Sequence, residues 1–311
     1  MGKNSVAVCV CTYLRPKSLE RTLRSLGALR FKSPERKPEL RVVVVDNDPK
    51  ASARALVESL RAELPFAITY EVEPRQGIPF ARNTSLRASE PSELIAFIDD
   101  DETPAPDWLE LLLEALEVHV ADVATGPVVP VLAQPVPRWI ERGEFFRATE
   151  RPTGTIVGEA FTNNVLFKRS VLSRMEGAFD ERMARTGGSD THFFRRVAVS
   201  GGKIVWCAEA VVYDHVPASR MSEKWLLQRS YRVGGVMTFV RMETEPLPKA
   251  LLLTSVATAR AAIVGGALVA AGVVAGKHLR VRGERWLAYG AGLVAGVRGV
   301  HYEEYKEIHG S

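Results

Sequence analysis

Leu94-Ile95-Ala96-Phe97-Ile98-Asp99-Asp100-Asp101-Glu102-Thr103-Pro104-Ala105-Pro106 is the stretch on which the reading of this chain turns. Its five apolar residues make a run of buried-strand length, and the run stops at four carboxylates followed by two prolines. Four carboxylates at a strand end repel one another, which raises their pKa values unless a cation sits among them. Mg²⁺ or Mn²⁺ relieves that repulsion and keeps coordination sites for phosphate oxygens. An acidic turn capping a helix that starts near Pro106 is the other reading. The surrounding chain has to choose between them.

With 311 residues, 46% hydrophobic and 25% charged, the chain is long enough for one large or two modest globular domains. The net charge of +4 is mildly basic and dispersed, which suits anionic small molecules or lipid headgroups and gives no case for nucleic acid. Cys9, Cys11 and Cys207 form neither a disulfide framework nor a zinc spacing, as expected for a reducing cytosol. No secretory leader pattern opens the sequence.

Upstream of the acidic run, strands alternate with helices. Residues 6–13 read as a buried strand, and Leu19, Leu23, Leu26 and Leu29 follow at helical spacing behind Pro16. A second strand, 40–45, ends at Asp46-Asn47-Asp48-Pro49; a helix over 50–63, a strand over 67–72, a helix over 78–88 and the strand 94–98 complete the alternation. Such alternation requires crossover connections and a mostly parallel sheet, whose ligands bind beyond the carboxyl ends of the strands. Those ends carry Thr12-Tyr13, Asp46-Asn47-Asp48 and Asp99-Asp100-Asp101. In the preceding loop, Arg75 offers fixed positive charge for a diphosphate and Gly77 permits close backbone approach. Read singly, Arg75 and Arg82 also suit ordinary surface ion pairs.

The runs Val10-Cys11-Thr12-Tyr13-Leu14-Arg15-Pro16, Val44-Val45-Asp46-Asn47-Asp48, Gly77-Ile78-Pro79-Phe80-Ala81-Arg82-Asn83 and Phe97-Ile98-Asp99-Asp100-Asp101 resemble, in order and spacing, the inverting family 2 glycosyltransferases of the GT-A fold. More narrowly, the chain resembles the bacterial exopolysaccharide glucosyltransferases of the succinoglycan-assembly type, over about residues 5–240. That resemblance implies a UDP-sugar donor and a divalent metal, Mn²⁺ or Mg²⁺, at a DxD element. Asp101 matches the direct metal ligand, Asp99 a contact to the ribose or metal shell, and Asp100 lies between them in the donor site. Asp46 matches the acidic residue that meets the nucleobase, with Thr12, Tyr13 and Arg15 beside it. Here the chain departs from the family, which often has a second acid where this sequence has Asn47; Asp48 is placed to compensate.

Beyond the acidic run, a helix is expected over 108–118 and a strand over 122–126. Pro127, Pro130, Pro135 and Pro137 then argue against any regular element before Trp139. Trp139, with Phe145 and Phe146, suits either stacking on an acceptor sugar or packing beneath the loop. A strand over 161–167 includes Asn163-Asn164, and Thr186-Gly187-Gly188-Ser189-Asp190 leads into a helix. Read from its position, Asp190 is a helix N-cap. The resemblance instead makes Asp190 the general base, with Ser189 at a position where the family often has Glu and therefore toward the acceptor. Strands 203–207 and 210–213 precede His215, which the resemblance offers as a further metal ligand and which is otherwise a structural histidine. Arg220 and Arg229 are implied contacts to the diphosphate or the acceptor loop.

After Pro246-Leu247-Pro248 the composition turns apolar. Residues 261–276 are free of charge, short of the about 20 residues a spanning helix needs, and Arg260 precedes them. Two readings follow: a helical hairpin set into the cytoplasmic leaflet with Lys277, Arg280, Arg282 and Arg285 at anionic headgroups, or paired helices joining subunits of a homo-oligomer through Gly/Ala faces. The expected organisation is a GT-A α/β domain over 1–240, divided into a nucleotide-sugar-binding half (1–126) and an acceptor half (127–240), followed by an apolar helical tail over 241–311. The expected activity is transfer of a sugar, glucose by resemblance, from UDP to a polyprenyl-linked or other glycan acceptor at the cytoplasmic face of a bacterial inner membrane. The rivals are a nucleotidyltransferase, which would want a Gly-rich, Lys-bearing signature near the amino terminus, and a non-catalytic nucleotide-binding scaffold.

Overall fold

The computed structural model describes residues 4–32 and 35–300; residues 301–311 of the expected tail lie outside the described residues. The chain begins with β1 (Ser5–Thr12), α1 (Pro16–Gly27), β2 (Glu39–Asp46), α2 (Arg54–Leu60), β3 (Ala67–Val72), α3 (Ile78–Ala88) and β4 (Leu94–Phe97). It continues through β5 (Glu102–Pro104), α4 (Trp108–Val118), β6 (Val123–Thr125), β7 (Val128–Leu132), α5 (Arg138–Gly143), β8 (Ile156–Val157) and β9 (Val165–Lys168). The remaining elements are α6 (Ser189–Val199), β10 (Ile204–Trp206), β11 (Val212–Val216), α7 (Glu223–Thr244), α8 (Leu247–Ala275) and α9 (Lys277–Val297).

Eight strands form one sheet in the order β3-β2-β1-β4-β9-β6-β10-β8. The first four are parallel; β9 runs against both β4 and β6, so β6 and β10 return to the direction of β4. Val6 to Val10 of β1 are wholly enclosed, which explains why these strands read as continuous apolar runs. Leu19, Leu23 and Leu26 of α1 and Leu109 and Leu112 of α4 cover one face, while Ala81 and Leu86 of α3 and Phe193 and Phe194 of α6 cover the other. Burying one leucine contributes about 2 kcal/mol, so these helix stripes hold the layers together. Thr12 stands opposite Asp46, and Cys9 opposite Phe97, so three polar strand ends share one edge.

A second sheet, β5-β11-β7, lies beyond that edge. Its third strand corrects the expectation that prolines forbid a regular element after residue 127. Pro130 sits in β7 at a sheet edge, where a missing N–H is tolerated. β11 extends to Val216 and carries Asp214 and His215 within it. β9 starts only at Val165 and α2 only at Arg54, later than expected; ahead of α2 the Asp48 and Asp46 carboxylates accept from the Lys50 and Ala53 N–H groups and hold the backbone in turns.

Asn164 stands immediately before β9. It is 1% exposed and donates from Nδ2 to the carbonyls of Pro127 (2.9 Å) and Ala210 (2.8 Å), while Oδ1 accepts from Trp108 Nε1 (2.8 Å). Pro127 joins β6 to β7 and Ala210 precedes β11, so one amide ties the large sheet to the small one at both crossings.

In the tail, α9 packs between α7 and α8. A Cβ at Gly292 would collide with the carbonyl of Tyr231, so only glycine lets α9 approach α7 this closely. Gly265 and Gly283 likewise bring α8 onto α9. The Gly/Ala faces expected to join subunits are thus used inside the chain, and the expected division at 240/241 falls within α7. Among the described residues α8 is the one helix long and apolar enough to cross a membrane; only 17% of its most apolar stretch is buried, and Leu252, Val256, Ile263, Val273 and Val274 are exposed.

Asn164→Ala removes three hydrogen bonds and leaves Trp108 Nε1 and the Ala210 carbonyl unsatisfied, the Pro127 carbonyl keeping the Val212 N–H (3.1 Å), and should cost about 3 kcal/mol in chemical denaturation. A loss below about 1 kcal/mol would show that the two sheets are joined by other means.

Candidate active site

The acidic loop after β4 is held from below by α1. The single Thr22 Oγ1–H is shared between the carbonyls of Glu102 (2.6 Å) and Asp100 (3.0 Å), and Arg21 Nη2 donates to the carbonyl of Asp101 (3.3 Å). Leu14, in the left-handed region at φ 56°, turns the chain out of β1, and Pro16 starts α1 directly behind Arg15. Thr12 Oγ1 donates to Asp100 Oδ2 (2.6 Å). Arg15 Nη1 bridges Asp100 Oδ1 (3.3 Å) and Asp101 Oδ2 (3.1 Å), and Arg220 Nη2 donates to the same Asp101 oxygen (3.2 Å). Asp214 stands opposite Glu102 in the small sheet and lies 3.8 Å from Arg220 Nη1.

Five carboxylates therefore crowd one edge. Burial, opposed by Arg82 and reinforced by Asp101, Asp100 and Asp190, pushes Asp99 up to about 7. Burial also raises Asp100, Glu102 and Asp214, each with help from neighbouring carboxylates. Burial and Arg21 push His215 down. Hard oxygen donors under unrelieved repulsion fit a hard divalent cation. Among the described residues, however, no three His, Cys, Asp or Glu side chains are gathered as a ligand set. Asp101 is turned onto two arginines, and His215 Nε2 lies 3.1 Å from Thr103 Oγ1, not against a carboxylate.

The loop after β2 forms the next wall. Both Asp46 oxygens are engaged within the fold: Oδ1 accepts from the Asp48 N–H (3.0 Å), and Oδ2 accepts from the Ala53 N–H (2.7 Å) and Tyr70 Oη–H (2.8 Å). Asp48 accepts from the Lys50 N–H (3.1 Å). Asn47 Nδ2 donates to the carbonyls of Glu73 and Arg75, both at 2.8 Å, and its Oδ1 accepts from the Gly77 N–H (2.9 Å). A carboxylate has no hydrogen to donate, so the departure from the family pattern at Asn47 has a local reason. Gly77, at φ 142°, passes so near Ala184 that a Cβ would lie 2.8 Å from the alanine methyl. Gln76 Nε2 donates to Tyr13 Oη (2.9 Å), and Arg75, half-exposed over the Phe80 ring, is paired with Glu73 (3.0 Å) and Glu181 (3.3 Å).

Asp190 faces the acidic edge from α6. Gly188, at φ 83°, occupies the N-cap position and packs where a Cβ would strike Val236 of α7. Asp190 is therefore not the cap expected from its sequence position; it lies in the first turn, with Oδ1 accepting from the Thr191 N–H (2.7 Å). Its Oδ2 is 3.7 Å from Arg82 Nη2, while Arg82 Nη1 donates to Ser189 Oγ (2.8 Å). Arg82 is 7% exposed, and its charge is felt at Asp99 as well.

Two acceptor expectations need correction. Ser189 is fully buried against Arg82 and cannot touch an acceptor. Trp139 meets Phe145 edge-on (5.5 Å), and Lys277 Nζ lies 4.5 Å over its ring, so it packs the α5–α9 contact and is no open sugar platform. Arg229 lies over the Trp225 ring at 5.1 Å, and its charge reaches Asp214. Sequence reasoning missed Arg21, Thr22, Glu73 and Asp214. Thr22 was detectable as a polar residue on the leucine face of α1, and Asp214 as the neighbour of His215.

The model of glycosyl transferase family 2 matches residues 7–175, more than half of the chain. The chain belongs to glycosyltransferase family 2. A second model, glycosyl transferase family group 2, matches residues 94–279 of the enzyme. Succinoglycan biosynthesis protein ExoM of Rhizobium meliloti is 41% identical over 229 residues, covering 74% of the enzyme and 72% of the relative. A glucosyl-dolichyl phosphate glucuronosyltransferase of Haloferax volcanii is 28% identical over 251 residues, covering 74% and 75%. In fold, the enzyme resembles the mannosyltransferase PcManGT of Pyrobaculum calidifontis, solved with GDP-Man and Mn²⁺ (TM-score 0.60, 22% identity, 96% and 88% covered). It also resembles S. aureus TarS residues 1–349 solved with UDP (TM-score 0.54, 16% identity, 98% and 95% covered). The GT-A architecture and the glycosyltransferase class expected from the sequence are both borne out.

His192, two residues beyond Asp190, tests how tightly α6 is held. It is 2% exposed and edge-on to Phe239 at 5.5 Å; its Nδ1 has no hydrogen-bond partner among the described residues. Burial and Arg196 push its pKa below 6.5, outweighing Asp180 and Glu243. The unfolded chain then binds the proton more readily, so stability is complete above pH 6.5 and falls below it, by no more than about 1.4 kcal/mol per pH unit for one proton. His192→Gln should flatten the fall in urea midpoint between pH 7 and pH 5. An unchanged pH dependence would contradict this assignment.

Proposed function

We propose that the enzyme is a metal-dependent inverting transferase that moves a sugar, glucose in the first instance, from UDP to a lipid-linked oligosaccharide or polysaccharide precursor. The observation that carries this reading is Asp190 facing the Asp99–Asp101 edge across Arg82. An inverting transfer needs a carboxylate on the acceptor side and positive charge on the leaving-group side, and these elements lie on opposite walls of one edge. The relation to a succinoglycan biosynthesis protein supports an exopolysaccharide or glycolipid product, and structural neighbours solved with UDP or GDP-Man support a nucleotide-sugar donor.

In this reading Asp190 accepts the proton of the attacking acceptor hydroxyl. Arg82, fixed by Ser189, holds the Asp190 carboxylate toward that hydroxyl. Thr12, Tyr13 and the loop clamped by Asn47 bound the nucleoside, and Arg15, Arg220 and Arg229 receive charge from the diphosphate as it leaves. Asp99 and Asp101 are the residues that would hold Mn²⁺ or Mg²⁺, whose chemistry is to neutralise the developing diphosphate charge. We further propose residues 1–240 as the catalytic unit, with halves at 1–126 and 127–240, and residues 241–311 as a tail whose exposed α8 face meets the cytoplasmic side of the inner membrane. Lys277, Arg282 and the polyprenyl-linked acceptor would then share one surface.

Asp190→Asn should lower transfer by about 10³-fold while leaving UDP binding intact. Unaltered transfer would reject Asp190 as the base. Asp99→Ala with Asp101→Ala should abolish Mn²⁺-dependent UDP binding in calorimetry, and an unchanged titration would reject the metal assignment.

A further inference from the structure

Asp101 Oδ2 is a single oxygen held by two guanidinium groups, Arg15 Nη1 at 3.1 Å and Arg220 Nη2 at 3.2 Å. Neither arginine is a passive neighbour. Arg15 also reaches Asp100 Oδ1 at 3.3 Å, and the other arm of Arg220 reaches toward Asp214 Oδ1 at 3.8 Å, so each spans two carboxylates. Their side chains are 20% and 17% exposed, and Asp101 is 12% exposed, so water screens these pairs only in part. Resting on the proposed metal-dependent reading, we propose that Arg15 and Arg220 are exchange counterions: they neutralise Asp101 in the ligand-free enzyme and transfer to the diphosphate when Asp101 takes up a divalent cation.

The argument is one of charge and of lone pairs. An oxygen already accepting from two guanidiniums has no free direction for a third cation, and a divalent ion beside it would repel both arginines. The guanidiniums must therefore leave Oδ2 for a cation to settle on that oxygen, and their charge opposes a cation settling on Oδ1 beside them. A diphosphate arriving in the same site is the partner whose geometry suits them, because the planar fork of arginine pairs with phosphate oxygens as it does with carboxylate. The exchange keeps the site close to neutral at each stage. It also makes cation and nucleotide binding cooperative: the nucleotide removes the competitors for Asp101, and by reciprocity the cation strengthens nucleotide binding by the same factor. Arg21 supplies an internal contrast. It reaches the same residue at 3.3 Å, but it donates to the Asp101 backbone carbonyl and not to the carboxylate.

The test is a titration of the full chain with Mn²⁺ alone, followed by loss of the free-ion EPR signal, then the same titration with saturating UDP. Arg15→Gln and Arg220→Gln should each raise the affinity for Mn²⁺ alone by about tenfold, and the strengthening that UDP gives the wild type should shrink by the same factor. Arg21→Gln should gain clearly less Mn²⁺ affinity than either, and should keep the strengthening that UDP gives the wild type. If all three variants gain affinity equally, the effect is general electrostatics and the exchange is refuted. If Arg15→Gln and Arg220→Gln bind Mn²⁺ as the wild type does, the exchange is refuted while the metal-dependent reading stands. Wild type that takes up no Mn²⁺ with or without UDP would overturn both. Arg220→Lys keeps the charge without the fork that reaches Asp101 and Asp214; it should bind Mn²⁺ more tightly than wild type and serves if Arg220→Gln does not fold.

Discussion

Repulsion among the carboxylates beyond β4 is the constraint around which the rest of this enzyme is arranged. Asp99, Asp100, Asp101 and Glu102 follow one another at the end of a buried strand, and Asp214 is brought opposite by the small sheet. Burial, opposed by Arg82 and reinforced by the neighbouring carboxylates, pushes Asp99 up to about 7. A cluster of this kind persists only where cations and hydroxyls face it from several elements at once. Thr12 from β1, Arg15 just before α1, Thr22 from α1, Arg82 from α3 and Arg220 after β11 meet that requirement. Each stands where it does because a strand end or a helix start delivers it to the same edge.

The opposite wall answers a different need. As the proposed base, Asp190 needs an orientation fixed by its neighbours. Gly188 lets α6 begin against α7 with no side chain between them, and Arg82, locked by the Ser189 hydroxyl, lies 3.7 Å from the Asp190 carboxylate. Arg82 thereby connects the two walls. The same α7 that seats Gly188 also packs on α9, which carries α8 outward. A continuous stack of packed elements therefore runs from the acidic edge to the exposed apolar face of α8.

Much of this architecture was legible in the sequence for physical reasons. β1, β2 and β4 are covered on both faces, so their residues form unbroken apolar runs, and helices with leucine stripes stand between them. Four motifs in register identified the family, and the acidic run identified the edge. The errors came where long-range partners decide local structure. Pro130 argued against a strand, yet an edge position removes the penalty. Asp190 had the position of a cap, but the cap is a glycine in a left-handed conformation. Other long-range partners were invisible in the sequence: Asp46 organises its own loop, and Asn47 clamps the loop of residues 73–77. Trp139 and Ser189 were misplaced for the same reason: no local pattern reveals that Lys277 or Arg82 already occupies them.

The most direct measurement of the central claim is nucleotide release by the purified enzyme across UDP-, GDP- and dTDP-sugars, with and without Mn²⁺. The account predicts Mn²⁺-dependent release of UDP from one UDP-sugar, with little or no release when the metal is chelated. Equal release with and without metal, or neither release nor binding of any nucleotide, would contradict it.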